Sequence, residues 1–264
     1  LFATIGDRNS VGFLQSILVS DSINSSTDTY NNRVVNIDQY RNYGMESRLI
    51  TDYHLGKMQN TLSAGIRLYT GTTRRRPDGK GSTGTDYDVD VTGPYPRDVE
   101  FTSYNAAAFV EHIFRLTPKL LLIPGIRMEW LEGRATGRNG YTSSGAEILL
   151  QNITRSRQFI LAGAGAEYHI TPSTELYASY AQAYRPIQFA NLQAPPTTDV
   201  VDPDLEDSKG YNIDLGYRGK LKDYFQFDLS GYILQYNNRI GTITVAGTPS
   251  YQLITNVGNS TSKG

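Results

Sequence analysis

Segments of about ten residues, in which apolar and polar side chains alternate with a period of two, dominate this sequence. From Tyr43 to Leu55 the odd positions read Tyr43, Met45, Ser47, Leu49, Thr51, Tyr53 and Leu55. The even positions between them include Glu46, Arg48, Asp52 and His54. Leu62, Ala64, Ile66 and Leu68 alternate with Ser63, Gly65 and Arg67. Further on, Leu120, Leu122, Ile126, Met128 and Trp130 oppose Arg127 and Glu129. Tyr211, Ile213, Leu215 and Tyr217 oppose Asn212, Asp214 and Arg218, and Phe225, Phe227, Leu229 and Ile233 oppose Gln226, Asp228 and Ser230. A helix would break such alternation within one turn, whereas a strand sends successive side chains to opposite faces.

The connections sort by length. Short ones lie at Gly56-Lys57-Met58-Gln59, Leu116-Thr117-Pro118-Lys119, Thr171-Pro172-Ser173 and Lys220-Leu221-Lys222-Asp223. Long ones, rich in Gly, Ser, Thr, Asn, Asp and Pro, cover roughly 15–39, 73–98, 133–153 and 185–207. Short and long connections in strict alternation are the pattern of a membrane barrel of hairpins, with tight turns on the periplasmic side and long loops outside. A soluble sandwich has similar strands but no such sorting. The sequence therefore predicts an all-β fold, an antiparallel transmembrane β-barrel that is partial, with about ten strands. Apolar runs such as Leu120–Ile123 fall far short of the roughly 18 residues of a spanning helix. A mean hydropathy of −0.41 is compatible with a barrel, because half of each strand faces a polar lumen.

Nineteen Tyr against nine Phe suit half-exposed strands. The absence of Cys removes disulfides, thiolate metal sites and cysteine nucleophiles. A formal charge of −1 argues against a nucleic-acid partner held by phosphate attraction. One strand face is apolar, for lipid. The other carries Glu46, Arg48, Asp52, Arg67, Glu111, Arg127, Glu129, Glu167, Asp214 and Arg218, which facing strands are expected to pair into ladders along a lumen wall.

Four segments resemble the barrel of TonB-dependent outer-membrane receptors, in that family's order. They are Leu122–Trp130 (LIPGIRMEW), Pro172–Ile187 (PSTELYASYAQAYRPI), Val201–Gly219 (VDPDLEDSKGYNIDLGYRG) and Asn256–Gly264 (NVGNSTSKG). The resemblance runs from about Tyr40 onward, with a flavour of the ferric citrate type. It implies a receptor of the Gram-negative outer membrane, in contact with lipid and lipopolysaccharide, for energy-coupled uptake of a scarce nutrient such as a siderophore or ferric citrate. It implies no enzyme, no cofactor and no metal site. Such barrels have 22 strands and a plugged lumen. Residues 1–264 are thus expected to be part of the barrel domain, with the plug, which meets the TonB complex, and the C-terminal strands absent from this chain.

Arg74, Arg75 and Arg76 stand together in the loop 73–98, and Arg185, Gln188, Phe189 and Asn191 follow the strand ending near Tyr184. Guanidinium forks match carboxylates, and Arg76, Arg185 and Gln188 are the expected contacts for an anionic ferric chelate at the outer mouth. The bland readings are lipopolysaccharide contact for the arginine triplet and a simple chain exit at Arg185-Pro186. The acidic run Asp199, Asp202, Asp204, Glu206 and Asp207 lacks the Gly and distal Glu of a helix–loop–helix calcium site. His54, His112 and His169 all lie near short turns and read as interfacial or turn-packing residues. The competing function is a ten-stranded outer-membrane protease or phospholipase, or a passive porin. An enzyme would need acid/base groups clustered at the outer rim, where this sequence has no His.

Overall fold

The computed structural model describes residues 1–264 except 14–19, 151–152, 188–198, 223 and 248–249. Among the described residues there are fourteen strands and no helix. In chain order they are β1 (Phe2–Phe13), β2 (Arg33–Leu55), β3 (Met58–Lys80), β4 (Asp98–Arg115), β5 (Leu120–Tyr141), β6 (Glu147–Leu149) and β7 (Ile153–Thr171). Then come β8 (Thr174–Arg185), β9 (Asp199–Val201), β10 (Ser208–Leu221), β11 (Phe225–Asn237), β12 (Ile240–Val245), β13 (Tyr251–Asn256) and β14 (Ser260–Lys263). Ten of them form one hydrogen-bonded path, β1-β2-β3-β4-β5-β7-β8-β10-β11-β14, with β6 added beside β5. This is the expected meander of about ten strands. The four extra strands are short pieces within the long connections, three of which, β12, β13 and β9, make a small separate sheet.

The strands are longer than the alternation indicated. β2 and β3 have 23 residues each and β5 has 22, against the 9–11 that cross a bilayer. Consequently the segment 73–80, expected in a loop, continues β3. The misreading has a physical origin. Arg74 to Lys80 carries five charged residues, Pro77 and Gly79, so nothing there alternates, and Pro in a strand argues against a central position. Pairing nevertheless persists, since Gly81 donates to the Arg33 carbonyl and Arg33 to that of Ser82, both at 2.8 Å.

The chain packs as two compact units. The first comprises Leu1–Met45, Tyr69–Tyr104 and Glu132–Ser156. Its buried centre holds Val35, Val99 and Ala135 together with Arg33 and Asp38. Arg33 is 2 % exposed and lies 5.2–5.3 Å from the rings of Phe13, Tyr30 and Tyr87. It donates to the Gly84 carbonyl at 2.8 Å and pairs with Asp21 at 2.7 Å, so one cation in an aromatic box fastens two long connections.

The second unit comprises Glu46–Leu68, Asn105–Leu131 and Arg157–Gly264. Its strands leave large aliphatic side chains in the open: Leu49 is 66 % exposed, Leu215 62 % and Leu229 75 %, with Ile66, Ile126 and Ile160 alongside. These are the residues of the apolar parity. A sheet that shows an aliphatic face of this extent has an apolar solvent or partner as its natural surroundings. Toward the short turns the same parity becomes aromatic. His112 stacks on Phe114 at 3.7 Å and meets the Tyr53 hydroxyl at 2.7 Å, and Tyr217 packs on Phe227 at 5.1 Å. Amphipathic rings at this height form an interfacial belt, which agrees with the interfacial reading of His112.

Across the sheet, aromatic rings cover glycines on the neighbouring strand. Phe2 pairs in register with Gly44, Tyr177 with Gly216, and the Phe109 ring lies over Gly65. Arg48 and Arg127 rest on the Phe109 ring and Arg218 on that of Tyr177, at 5.0–5.8 Å. A Cβ on Gly216 would clash with the hydroxyl end of the Tyr177 ring. We expect Gly216→Val to destabilise the protein by about 1–3 kcal/mol through overpacking. Adding Tyr177→Ala to Gly216→Val should cost less than the sum of the two single changes, because the clash is removed with the ring. Thermal unfolding of the four proteins measures the coupling, and strict additivity would refute the close contact.

Candidate functional site

The exit from β8 is braced at one carboxylate. Asp207 Oδ2 accepts from the Tyr184 hydroxyl and from Arg157 Nε, and Oδ1 accepts from the Ile187 amide at 2.8 Å. Phe159 stacks on Tyr184 at 3.8 Å. Burial pushes the Asp207 carboxyl up, but the Tyr184 hydroxyl, the Ile187 amide and the Arg157 guanidinium outweigh it and hold it below the usual carboxylate range. Arg185, the last residue of β8, is exposed, and its Nη1 donates to the Tyr236 hydroxyl at 3.3 Å. One candidate cation thus stands at the root of a long connection whose start is fixed. Gln188, Phe189 and Asn191 lie outside the described residues.

The acidic run serves as a set of acceptors for the neighbouring connection. Asp202 takes the Thr255 hydroxyl at 2.5 Å and the Asp204 amide at 2.9 Å, which hold its carboxyl below the usual range. Glu206 accepts from Asn238 Nδ2 at 2.7 Å and donates its amide to Asn256 Oδ1 at 2.8 Å. Asn256 returns a bond to the Glu206 carbonyl at 3.0 Å and gives another to that of Asn238 at 2.9 Å. Asn259 Oδ1 accepts the Asn238 amide at 3.0 Å. Gly258, at φ +111°, lets the chain turn there. The NVGN segment is therefore a knot of side-chain amides that joins the connection before β10 to the one carrying the β12–β13 hairpin, and β9 runs parallel to β13 beside it.

The arginine triplet is not in a loop. Arg74 forks onto Asp98, Nε at 2.8 Å and Nη2 at 2.6 Å. Arg75 pairs with Asp38 at 3.1 Å on the opposite strand face. Arg76 donates to Gln39 at 3.4 Å and lies 5.3 Å from the Tyr95 ring, and its buried Nε has no hydrogen-bond partner. The acidic partners are 24 and 37 residues away in sequence, which hid them from local inspection. By strand alternation Arg74 and Arg76 continue the parity of Leu62, Ala64, Ile66 and Leu68, not that of Arg67 and Arg75.

Charges on the polar face pair differently from the expected cross-strand ladders. Arg48 meets Glu46 and Arg127 meets Glu129 at 2.5 Å, each two residues apart on one strand. Period-two geometry puts such residues on one face, so a strand neutralises itself. Arg218 does cross strands. It contacts Glu175 and Glu167, the latter at 3.2 Å. Glu175 also meets His169 Nδ1 at 3.0 Å. Local sequence does not single out Glu175, because its position opposite His169 depends on register.

A continuous sheet of hairpins, with tight turns at one end of the strands and long connections containing their own small sheet at the other, is the wall of an outer-membrane β-barrel. Residues 4–264 match the TonB-dependent receptor-like β-barrel family, and the chain belongs to it. It is a family of receptors rather than of enzymes, as the sequence implied. Solved structures agree on the fold. The copper transporter OprC matches at a TM-score of 0.67 and 21 % identity, over 99 % of this chain and 39 % of its own. The ferric-catecholate import receptor Fiu from K12 E. coli, in its closed form, gives 0.63 and 13 %, over 98 % and 39 %. The ferric citrate transporter FecA, unliganded, gives 0.64 and 16 %, over 88 % and 32 %. The chain thus spans less than two-fifths of the length of these relatives. No curated protein sequence matches it significantly.

The brace at Asp207 has a pH signature. Its carboxyl titrates lower in the folded protein than in the unfolded chain, so the brace contributes fully above the ordinary value of about 4 and is lost as pH falls below it. Hydrogen exchange should show the Ile187 amide more protected than in Asp207→Ala at pH 7, with the difference vanishing as pH falls below about 4. Equal protection at pH 7 would dismiss the brace.

Proposed function

We propose that this chain forms part of the wall of a TonB-dependent receptor in the outer membrane of a Gram-negative bacterium. Its role is energy-coupled uptake of a scarce nutrient, in the first place a ferric chelate such as a siderophore or ferric citrate. The observation that carries the proposal is the family match along residues 4–264. The exposed aliphatic face and aromatic belt of the second unit support a lipid setting. Two fold relatives, a ferric-catecholate import receptor and a ferric citrate transporter, support iron as cargo, and a third is a copper transporter. On this reading the plug, through which the TonB complex acts, and the remaining strands belong to parts of the receptor outside these 264 residues.

Ligand is taken at the long connections. Arg185, with Gln188 beyond it, offers donors to the carboxylates of a chelate from a braced position at the end of β8. The parity of Arg76 supports another role for that residue, contact with lipopolysaccharide phosphate above the apolar band, and not the chelate contact expected from the sequence.

Binding of ferric citrate and a panel of siderophores to the full-length receptor tests this. Arg185→Ala and Gln188→Ala should each cost about 1.5–3 kcal/mol for the transported ligand, roughly ten- to a hundredfold in affinity. Arg76→Ala should leave affinity unchanged. If neither Arg185→Ala nor Gln188→Ala alters affinity for any transported ligand, those residues are rim structure only. Orientation follows from loop length. Single cysteines at Lys80 should label on intact cells, and cysteines at Lys57 or Lys119 should not; the reverse pattern inverts the topology.

A further inference from the structure

Glu167, His169 and Glu175 form a three-sided cluster of metal-ligating groups on the polar face of β7 and β8. Its geometry follows from two sheet rules. Glu167 and His169 are two apart on β7 and so share a face. Glu175 on β8 stands directly opposite His169 in the antiparallel register, which brings their side chains together. One ligand atom from each residue lies within 4.8 Å of the other two, and His169 Nδ1 is already 3.0 Å from Glu175 Oε2. A tetrahedral ion about 2.1 Å from each ligand sets neighbouring ligand atoms about 3.4 Å apart. Side-chain rotations of about an ångström reach that spacing. His169 and Glu175 line a hollow shared with Arg218 and Asp228, so an ion has access from solvent.

We propose that Glu167, His169 and Glu175 bind a divalent transition-metal ion of the zinc or copper(II) type, with the Arg218 guanidinium as the resident cation that the ion displaces. The donor set decides the class. One imidazole with two carboxylates suits borderline divalent ions, whereas hard calcium prefers oxygen alone and soft copper(I) prefers sulfur. Arg218 now contacts both carboxylates, and its side chain is 44 % exposed, free to swing into the hollow. The fourth coordination position is left to water. This site lies beside the short turn between β7 and β8 and does not depend on the transport reading.

Zinc titration by calorimetry, and copper(II) binding followed by electron paramagnetic resonance, test it on the full-length receptor. The wild type should bind a single ion, with hyperfine coupling to one imidazole nitrogen. His169→Ala and Glu175→Gln should each weaken binding by at least about tenfold, since changes to groups that merely support metal ligands already cost that much. His169→Ala should also abolish the nitrogen coupling, although His54 and His112 remain. Arg218→Gln, which removes the competing charge, should tighten binding. Thermal unfolding without metal shows that each variant is folded, and Glu175→Gln keeps the shape of the side chain it replaces. The proposal is overturned if the wild type binds no ion, if His169→Ala and Glu175→Gln bind as the wild type does, or if Arg218→Gln weakens binding.

Discussion

The backbone ladder is the interaction on which everything else in this molecule rests. A single sheet that crosses lipid has no water to satisfy its amides and carbonyls, so each strand must find them on its neighbours. The register from β7 through β11 does this residue by residue, Gly163 against Ala181 and onward to Leu221 against Phe225. Once the ladder satisfies the backbone, side chains are released to serve two different surroundings. Aliphatic residues go to one face. Charged residues, glycines and their aromatic covers go to the other.

The sequence made the spanning portions of the strands legible and little beyond them. Alternation is imposed by an apolar surrounding on one side, and it fades where both sides meet water. Leu62 to Leu68 alternate because they stand in the apolar belt. Arg74 to Lys80 continue the same strand, but no apolar neighbour constrains them, so their pattern is silent. The site was hidden for a related reason. Arg74 with Asp98, Arg75 with Asp38, and His169 with Glu175 are contacts of register, and register is set by whole hairpins rather than by local residue choice. The family-like NVGN segment could be recognised in the sequence, but not its work of tying two connections together through three asparagines.

The outer connections show how irregular backbone is held largely by polar contacts, with Ile254 of β13 buried among them. A parallel strand, β9, and a hairpin, β12–β13, supply a little ladder of their own. Asp202, Asp207 and Asn256 supply the rest, each satisfying two or more donors or acceptors at the base of a loop. Carboxylates with several donors stay ionised, and short amide side chains mimic backbone turns. The bracing of these connections is thus largely polar, which suits a framework that stands in water.

The ion pairs confined to single strands bear on biogenesis. Arg48 with Glu46, and Arg127 with Glu129, are complete before any neighbouring strand arrives. A lone charge at the centre of a bilayer costs several kcal/mol, and a pair that carries its own counter-charge evades much of that. The strands that carry these two pairs therefore bring those charges to the membrane already balanced, whereas Arg218 finds its carboxylates only when β10 pairs with β8.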